Sequence, residues 1–295
     1  MKRNFRIKDK IGRLDTEKAL FYFAFLLFLF FSFLFLYARH EQRDGLTVSF
    51  FDVGQGDAVF IDNINGVQVL IDGGKDKKVL YGLSEAMPFY DRSIDVVIAT
   101  HPDSDHIGGL IDVLRRYKVG LLLEPERKSQ DPAYLAMEKV IEERGVRRVY
   151  AVEGMVIDLG KGALLKILAP CRGMKIVSDN AASIVAKLSY GKRAFLFTAD
   201  ATKGEKKCII KNEGDLLKSD ILKIAHHGSK YSFLESFIDS VSPRYAIISA
   251  GRNNRYHHPY QNVLDYLNTR QIRILGTYEL GTIKFFTNGD NLEIK

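Results

Sequence analysis

The apolar pattern of the chain changes character once, near residue 40. Ala19–Ala38 reads ALFYFAFLLFLFFSFLFLYA, twenty residues in which only Ser32 and two tyrosines carry polar side-chain atoms. A helix of that length rises about 30 Å, the thickness of a bilayer core, and in hydrocarbon only a helix satisfies every backbone group of an open chain. No polar face exists, so a buried soluble helix does not fit. The run is also longer than the apolar core of a cleaved signal peptide, and no small-x-small cleavage site follows it. Beyond Arg43 short β-patterned runs alternate with helical ones. Strands are expected at 47–51, 58–61, 67–71, 94–100, 121–123, 149–152, 164–168, 221–225, 245–249, 272–275 and 282–286. Those at 183–188 and 194–198 flank Tyr190–Gly191–Lys192 and predict a hairpin. Helical spacing marks 106–117, 132–144, 202–212, 233–239 and 263–269. Strand-rich and mixed segments recur in both halves, which predicts two packed sheets with helices outside, as one domain.

Charge fixes an orientation for the apolar run. Seven Lys/Arg precede it (Lys2, Arg3, Arg6, Lys8, Lys10, Arg13, Lys18) and only Arg39 and Arg43 follow closely. The positive-inside bias predicts a cytoplasmic stub at 1–18, a single-pass span at 19–38, a linker at 39–45 and a domain at 46–295 outside the cytoplasm. Residues 1–43 hold nine Lys/Arg against four Asp/Glu, so they carry +5 of the total +7 and leave +2 for the remainder. Net charge therefore gives no argument for nucleic-acid binding by the folded part. Cys171 and Cys208 lack the spacing of a zinc framework; they read equally as one extracellular disulfide or as two small apolar residues.

The candidate chemistry centres on His101-Pro-Asp103-Ser-Asp105-His106, four metal-ligand side chains in six residues between a buried strand and a helix. A tight loop there can turn His101 and Asp103 one way and Asp105 and His106 another, as two neighbouring ions require, and imidazole with carboxylate suits zinc, manganese or iron. Asp200 ends the strand FLFTAD, where it reads as a bridging ligand or as an N-cap for the following helix. His226-His227-Gly228-Ser229 leaves the strand ILKIA, and two adjacent histidines cannot both enter a core. His258 lies in RYHHPY. Lys223, Lys230, Arg252 and Arg255 flank these loops as basic groups able to hold a phosphate backbone, or as ordinary solvated surface.

HPDSDHIGG resembles the HxHxDH signature of the metallo-β-lactamase superfamily in an HxDxDH variant. FDVGQGDAVF, LIDGG, SIVAKLSYGKRAFLFTAD, LKIAHHGS and HHP, in this order over residues 46–290, resemble the extracellular nuclease-like domain of the ComEC/Rec2 competence family. The many-helix channel of that family has no counterpart in the single apolar run. The resemblance implies an α+β four-layer αββα sandwich behind one N-terminal transmembrane helix. It implies two divalent ions, manganese or zinc. His101 and Asp103 would hold one, Asp105 and His106 the second, Asp200 would bridge, and His226 or His227 would complete the set or donate a proton. Asp72 would brace the ligand loop, and Ser229 and His258 would contact substrate. The third histidine of the first metal site is absent. Its place falls at Asp179, whose oxygen would favour manganese. Asp105 and His227 are the expected catalytic residues. The implied activity is hydrolysis of extracellular DNA by a metal-activated hydroxide, beside a separate DNA-uptake channel protein. The residues alone leave open a hydrolase of a small ester, lactone or lactam, and a non-catalytic domain that binds nucleic acid or a partner.

Overall fold

The computed structural model describes residues 8–41, 45–64 and 66–295. The expected stub therefore lies in part, and the expected linker residues 42–44 wholly, outside the described residues. The chain divides into two units, Met1–Asp44 and Gly45–Lys295. The first is one helix, Lys8–Glu41. Its stretch Lys18–Phe35 is long and apolar enough to cross a membrane, none of it is buried, and it begins one residue before the run read from sequence and ends three before it.

The second unit contains two sheets. The spatial order of the first is Leu292–Ile294, Ile283–Thr287, Leu46–Phe50, Val59–Asn63, Gln68–Ile71, Ser93–Ile98, Lys118–Glu124 and Arg148–Tyr150. The second runs Arg273–Gly276, Tyr245–Ile248, Ile221–Lys223, Arg193–Phe197, Val185–Tyr190, Ala163–Ala169 and Val156–Asp158. Each sheet is antiparallel on one side and parallel on the other; the change falls at Gln68–Ile71 in the first and at Arg193–Phe197 in the second. Period-two alternation makes these strands two-faced. Val69, Ile71, Val96 and Ile98 meet Leu188, Phe195 and Phe197 between the sheets. Leu70 and Val97 face outward against Leu83, Val113 and Val140. These come from helices Lys78–Ala86, Leu110–Arg116 and Pro132–Arg144. Leu196 and Leu222 of the second sheet do the same with Ile209, Phe237 and Val263. Their helices are Lys203–Glu213, Glu235–Val241 and Gln261–Thr269. The result is a four-layer αββα sandwich.

Most expected elements are present with ends shifted by a few residues. The hairpin closes through Gly191–Lys192, with Tyr190 opposite Arg193. The helix expected at 106–117 is instead two, Ser104–Ile107 and Leu110–Arg116. The joint is Gly108–Gly109, where added Cβ atoms would lie 2.2 Å from the Lys75 carbonyl oxygen and 2.0 Å from that of Gly73. These glycines admit the loop that follows Asp72. Helix Lys78–Ala86 and strands Val156–Asp158 and Leu292–Ile294 were not expected from the pattern.

Candidate metal centre

The parallel strands deliver their C-terminal loops to one edge of the sandwich, the place where open α/β sheets assemble sites. Asp72 follows Gln68–Ile71, and the 101–106 loop follows Ser93–Ile98. Asp200 follows Arg193–Phe197, His226 and His227 follow Ile221–Lys223, and His258 lies beyond Tyr245–Ile248. The two sheets are joined here by a hydrogen bond from Ile184 N to Thr100 O (2.9 Å).

Each buried histidine is tied by Nδ1 and turns Nε2 inward. His106 Nδ1 donates to Asp72 Oδ2 at 2.8 Å. His227 Nδ1 donates to the Ser249 carbonyl at 2.9 Å, and His101 Nδ1 lies 3.0 Å from Thr100 Oγ1. Asp72 also accepts from Thr100 N (2.8 Å) and Thr100 Oγ1 (2.7 Å), so one buried carboxylate fixes the loop and a ring together. Outer partners of this kind set the tautomer of a metal-binding imidazole.

The inward atoms converge. His106 Nε2 lies 3.3 Å from Asp200 Oδ1, His101 Nε2 3.5 Å from Asp103 Oδ2, and His227 Nε2 3.3 Å from Asp105 Oδ2 and 3.8 Å from Asp200 Oδ2. His101, His106 and Asp200 form one group whose ligand atoms lie within 4.8 Å of one another; Asp105, His106 and His227 form a second. Nε2 of all three histidines and Oδ1 of Asp200 are buried without a hydrogen-bond partner. Atoms stranded in this way cost about 1–3 kcal/mol each. Charge leads to the same conclusion. Burial opposes charging of His106, yet the Asp200 and Asp72 carboxylates drive its pKa well above the ordinary range. Burial likewise opposes charging of His227, and Asp200, Asp105 and Asp57 raise it to about 9. Asp200 itself, although burial pushes it up, is held well below the usual range by His106 and His227. Buried carboxylates that pull protons onto imidazoles are the donor set a dication would satisfy directly. The residues present fit a divalent metal.

Asp200 does not cap the next helix. Thr202 does, with Glu205 in a reciprocal capping box. His226 is partly exposed; its Nε2 lies 3.5 Å from Asp200 Oδ2 and its Nδ1 3.1 Å from Ser232 Oγ. Burial, the first cause, lowers its pKa. The His258 ring lies 5.6 Å from that of His226; burial and then His227 and His226 lower its pKa to about 4, so it is neutral at pH 7.

Four expectations need correction. Asp179 is outside the cluster: its carboxylate accepts from Arg127 Nε at 2.7 Å. Its neighbour Asn180 reaches His226 instead (Nδ2 to Nδ1, 3.4 Å). Lys223 is 1% exposed and pairs with Asp57, so it cannot touch a phosphate backbone. Ser229 is equally buried, with its hydroxyl accepting from Tyr231 N. His227, also 1% exposed, faces the cluster and cannot reach out to protonate a leaving group. Lys230, Arg252 and Arg255 are exposed; Lys230 Nζ stands 4.6 Å above the Tyr260 ring and Arg252 Nε donates to the Tyr278 carbonyl.

Asp57 was missed as a site residue. It is 3% exposed and its Oδ1 lies 3.3 Å from His227 Nδ1. Burial raises its pKa, but Lys223 and His227 outweigh that and lower it overall. The signal in the sequence was an acidic residue directly before the apolar run AVFI.

The family model of the metallo-beta-lactamase superfamily matches residues 51–252. The chain belongs to that superfamily. Among superfamily structures of similar fold is the metallo-beta-lactamase fold protein YhfI from Bacillus subtilis. The TM-score is 0.51 at 11% identity, over 78% of this chain and 95% of that one. Among curated proteins the chain is similar to ComE operon protein 3 of Bacillus subtilis (strain 168), 35% identical over 257 residues, 81% of this chain and 32% of the relative. Recombination protein 2 of Haemophilus influenzae is 30% identical over 84% of this chain and 30% of its own length. The chain thus spans about a third of the length of the curated relatives it matches.

Proposed function

We propose that the chain is a membrane-anchored, metal-dependent phosphodiesterase that cuts DNA outside the cytoplasm. The observation that carries this reading is the convergence of His101, Asp105, His106, Asp200 and His227, with the unpartnered atoms of the three histidines and Asp200 facing one another. His101, His106 and Asp200 would hold one divalent ion, and Asp105 and His227, with His106 near both, a second; Asp103 stands at the rim. A bound ion would supply a Lewis acid and lower the pKa of water. Mixed imidazole and carboxylate donors suit zinc or manganese, and the special argument for manganese goes with Asp179. Asp72, Thr100 and the Ser249 carbonyl hold the rings in place. His226 and His258, less buried, would meet the substrate.

The disulfide between Cys171 and Cys208 supports the outer location, since cytosolic thiols are kept reduced. With the basic residues before the apolar run, it favours a stub at 1–18, a span at 19–38, a linker at 39–45 and a hydrolase domain at 46–295. The name of Recombination protein 2, with the likeness to the ComEC/Rec2 competence family, favours DNA over a lactone or lactam. The share of the curated relatives that this chain spans leaves room for a separate DNA-uptake channel as partner.

The test uses the full chain in detergent with end-labelled single- and double-stranded DNA, in manganese, zinc or EDTA. Cleavage should require metal and vanish in Asp105→Asn. Intact DNA with every metal, alongside turnover of a lactone, would end the reading.

A further inference from the structure

Three surface depressions follow one another away from Asp105. The first, about 350 Å³, is lined by Asp105, Gln55, Lys75, Arg255 and Tyr256 among others. The second, about 590 Å³, shares Lys75 and adds Lys77, Lys78 and Tyr81. The third, about 340 Å³, shares Lys77 and Tyr81 and ends at Arg92 and Arg116. They pass over helix Lys78–Ala86, where Lys77, Lys78, Tyr81 and Ser84 fall at i, i+3 and i+4 spacing and so share a face.

Six basic side chains line this path, all exposed, and none is paired with a carboxylate among the described residues. Acidic groups on it are Asp76, Asp112 and Asp105 itself, the last facing His227. Asp76 accepts from Lys78 N at 2.9 Å and so acts as a local turn cap. The first turn of the helix holds no acidic residue. Lys77 and Lys78 sit at the positive end of the helix dipole, where the Asp76 carboxylate is the one acidic group bonded to the helix end among the described residues. Tyr81 stands among the cations at 65% exposure; Tyr256 is 43% exposed, with Arg255 4.8 Å over its ring and the His258 ring stacked at 5.8 Å.

We propose that this path is a binding track for single-stranded nucleic acid, leading the strand to the metal centre. The proposal rests on the phosphodiesterase reading and adds its substrate form. The cations hold phosphates, and the exposed Tyr81 ring stacks on a base. A duplex keeps its base faces stacked inside, so an exposed aromatic among the cations favours the single strand.

The test is fluorescence anisotropy with a labelled twenty-residue oligothymidylate and a duplex of equal length, on the full chain in detergent with EDTA to prevent cleavage. Tyr81→Ala should weaken single-strand binding by about 5- to 150-fold, the range for loss of one stacked base, and leave duplex binding nearly unchanged. Tyr81→Phe keeps the ring and should restore it, which separates stacking from any change in folding. Lys77→Gln with Lys78→Gln should flatten the dependence of log affinity on log salt by about 1.4, from ~0.7 per phosphate contact. Variants that bind as the parent does, or a duplex bound as tightly as the single strand, would overturn the track. DNA cleavage persisting beside such a result would leave the phosphodiesterase reading standing. A track that binds while no metal yields cleavage would retain this inference and remove that one.

Discussion

The Cys171–Cys208 disulfide offers a perturbation whose size follows from chain length. Cys171 comes just after strand Ala163–Ala169, and Cys208 lies on helix Lys203–Glu213, whose cap Thr202 is two residues past Asp200. The cross-link therefore anchors the helix that begins directly behind a central acidic residue of the cluster. It closes a loop of 37 residues, and the chain-entropy relation then assigns it about 4 kcal/mol. For a unit of this size 1 kcal/mol corresponds to roughly 2–4 °C, so Cys171→Ala with Cys208→Ala should lower Tm by roughly 8–15 °C. Alanine is the right replacement because Cys171 is 4% exposed among Leu168, Ala169 and Leu196, where a serine hydroxyl would add a separate penalty. Thermal melts of parent, parent with dithiothreitol and the double variant should separate the first from the other two. A mass-tagged maleimide added to the denatured, unreduced protein from membranes should modify neither cysteine. A Tm unmoved by the double substitution would refute the stabilisation, and two tagged thiols would also remove the support that the disulfide gives to the extracytoplasmic location.

Two further predictions concern buried charge. Lys206 is 4% exposed, with Nζ donating to Ser232 O at 2.6 Å, and burial, only partly opposed by Asp200, lowers its pKa from 10.5 to about 7. Between those values the unfolded chain binds the extra proton, so this lysine destabilises the fold by up to about 5 kcal/mol below pH 7 and by progressively less as pH rises toward 10.5. Urea unfolding at pH 7 and pH 9 should show Lys206→Met gaining more at the lower pH, and an equal difference at both would contradict the assignment. Asp57→Ala strands the Lys223 ammonium in the interior and should cost about 3–5 kcal/mol. Adding Lys223→Met should recover much of that loss in urea melts with EDTA, and strict additivity of the two would show that they are not a pair.

What could be read from the sequence was what local spacing controls. Leu70 between Val69 and Ile71, or Leu196 between Phe195 and Phe197, alternates between two cores, and the strands were found because that alternation survives in the residue types. The 101–106 loop was readable because its ligands lie within six residues. Asp57 was not, since its partners Lys223 and His227 are far along the chain and join it only after the sheets pack. Lys223 was read as surface because lysines are mostly exposed. Ile221, on the same face as Lys223, and Leu222, on the opposite one, are buried in different cores and marked a strand apolar on both faces. Asp179 was placed by counting back from Ser183, but a turn of 3-10 helix at Asn180–Ala182 intervenes and Arg127 holds the carboxylate. Helix Lys78–Ala86 escaped notice because Gly82 interrupts a short pattern. That glycine is needed because a Cβ there would lie 2.5 Å from the Phe51 ring.

The backbone around the cluster is as constrained as its side chains. Asp72, Ala199, His226 and His227 all have left-handed φ, at 60°, 41°, 52° and 55°. None is a glycine, and each such residue costs on the order of 1–3 kcal/mol. That strain persists because neighbouring bonds over-determine the loops. His226 N donates to Ala199 O (3.0 Å), joining two of the strained residues to each other, and Gly73 N donates to His106 O (2.7 Å) while Asp72 grips Thr100 and His106. A relaxed loop would turn Asp200 or His227 away from the shared space, so the side-chain convergence and the backbone strain share one cause. Asp72→Ala, which frees Thr100 and the His106 ring, should therefore weaken manganese or zinc binding by about 10- to 100-fold in a calorimetric titration, and an unchanged affinity would contradict that shared cause.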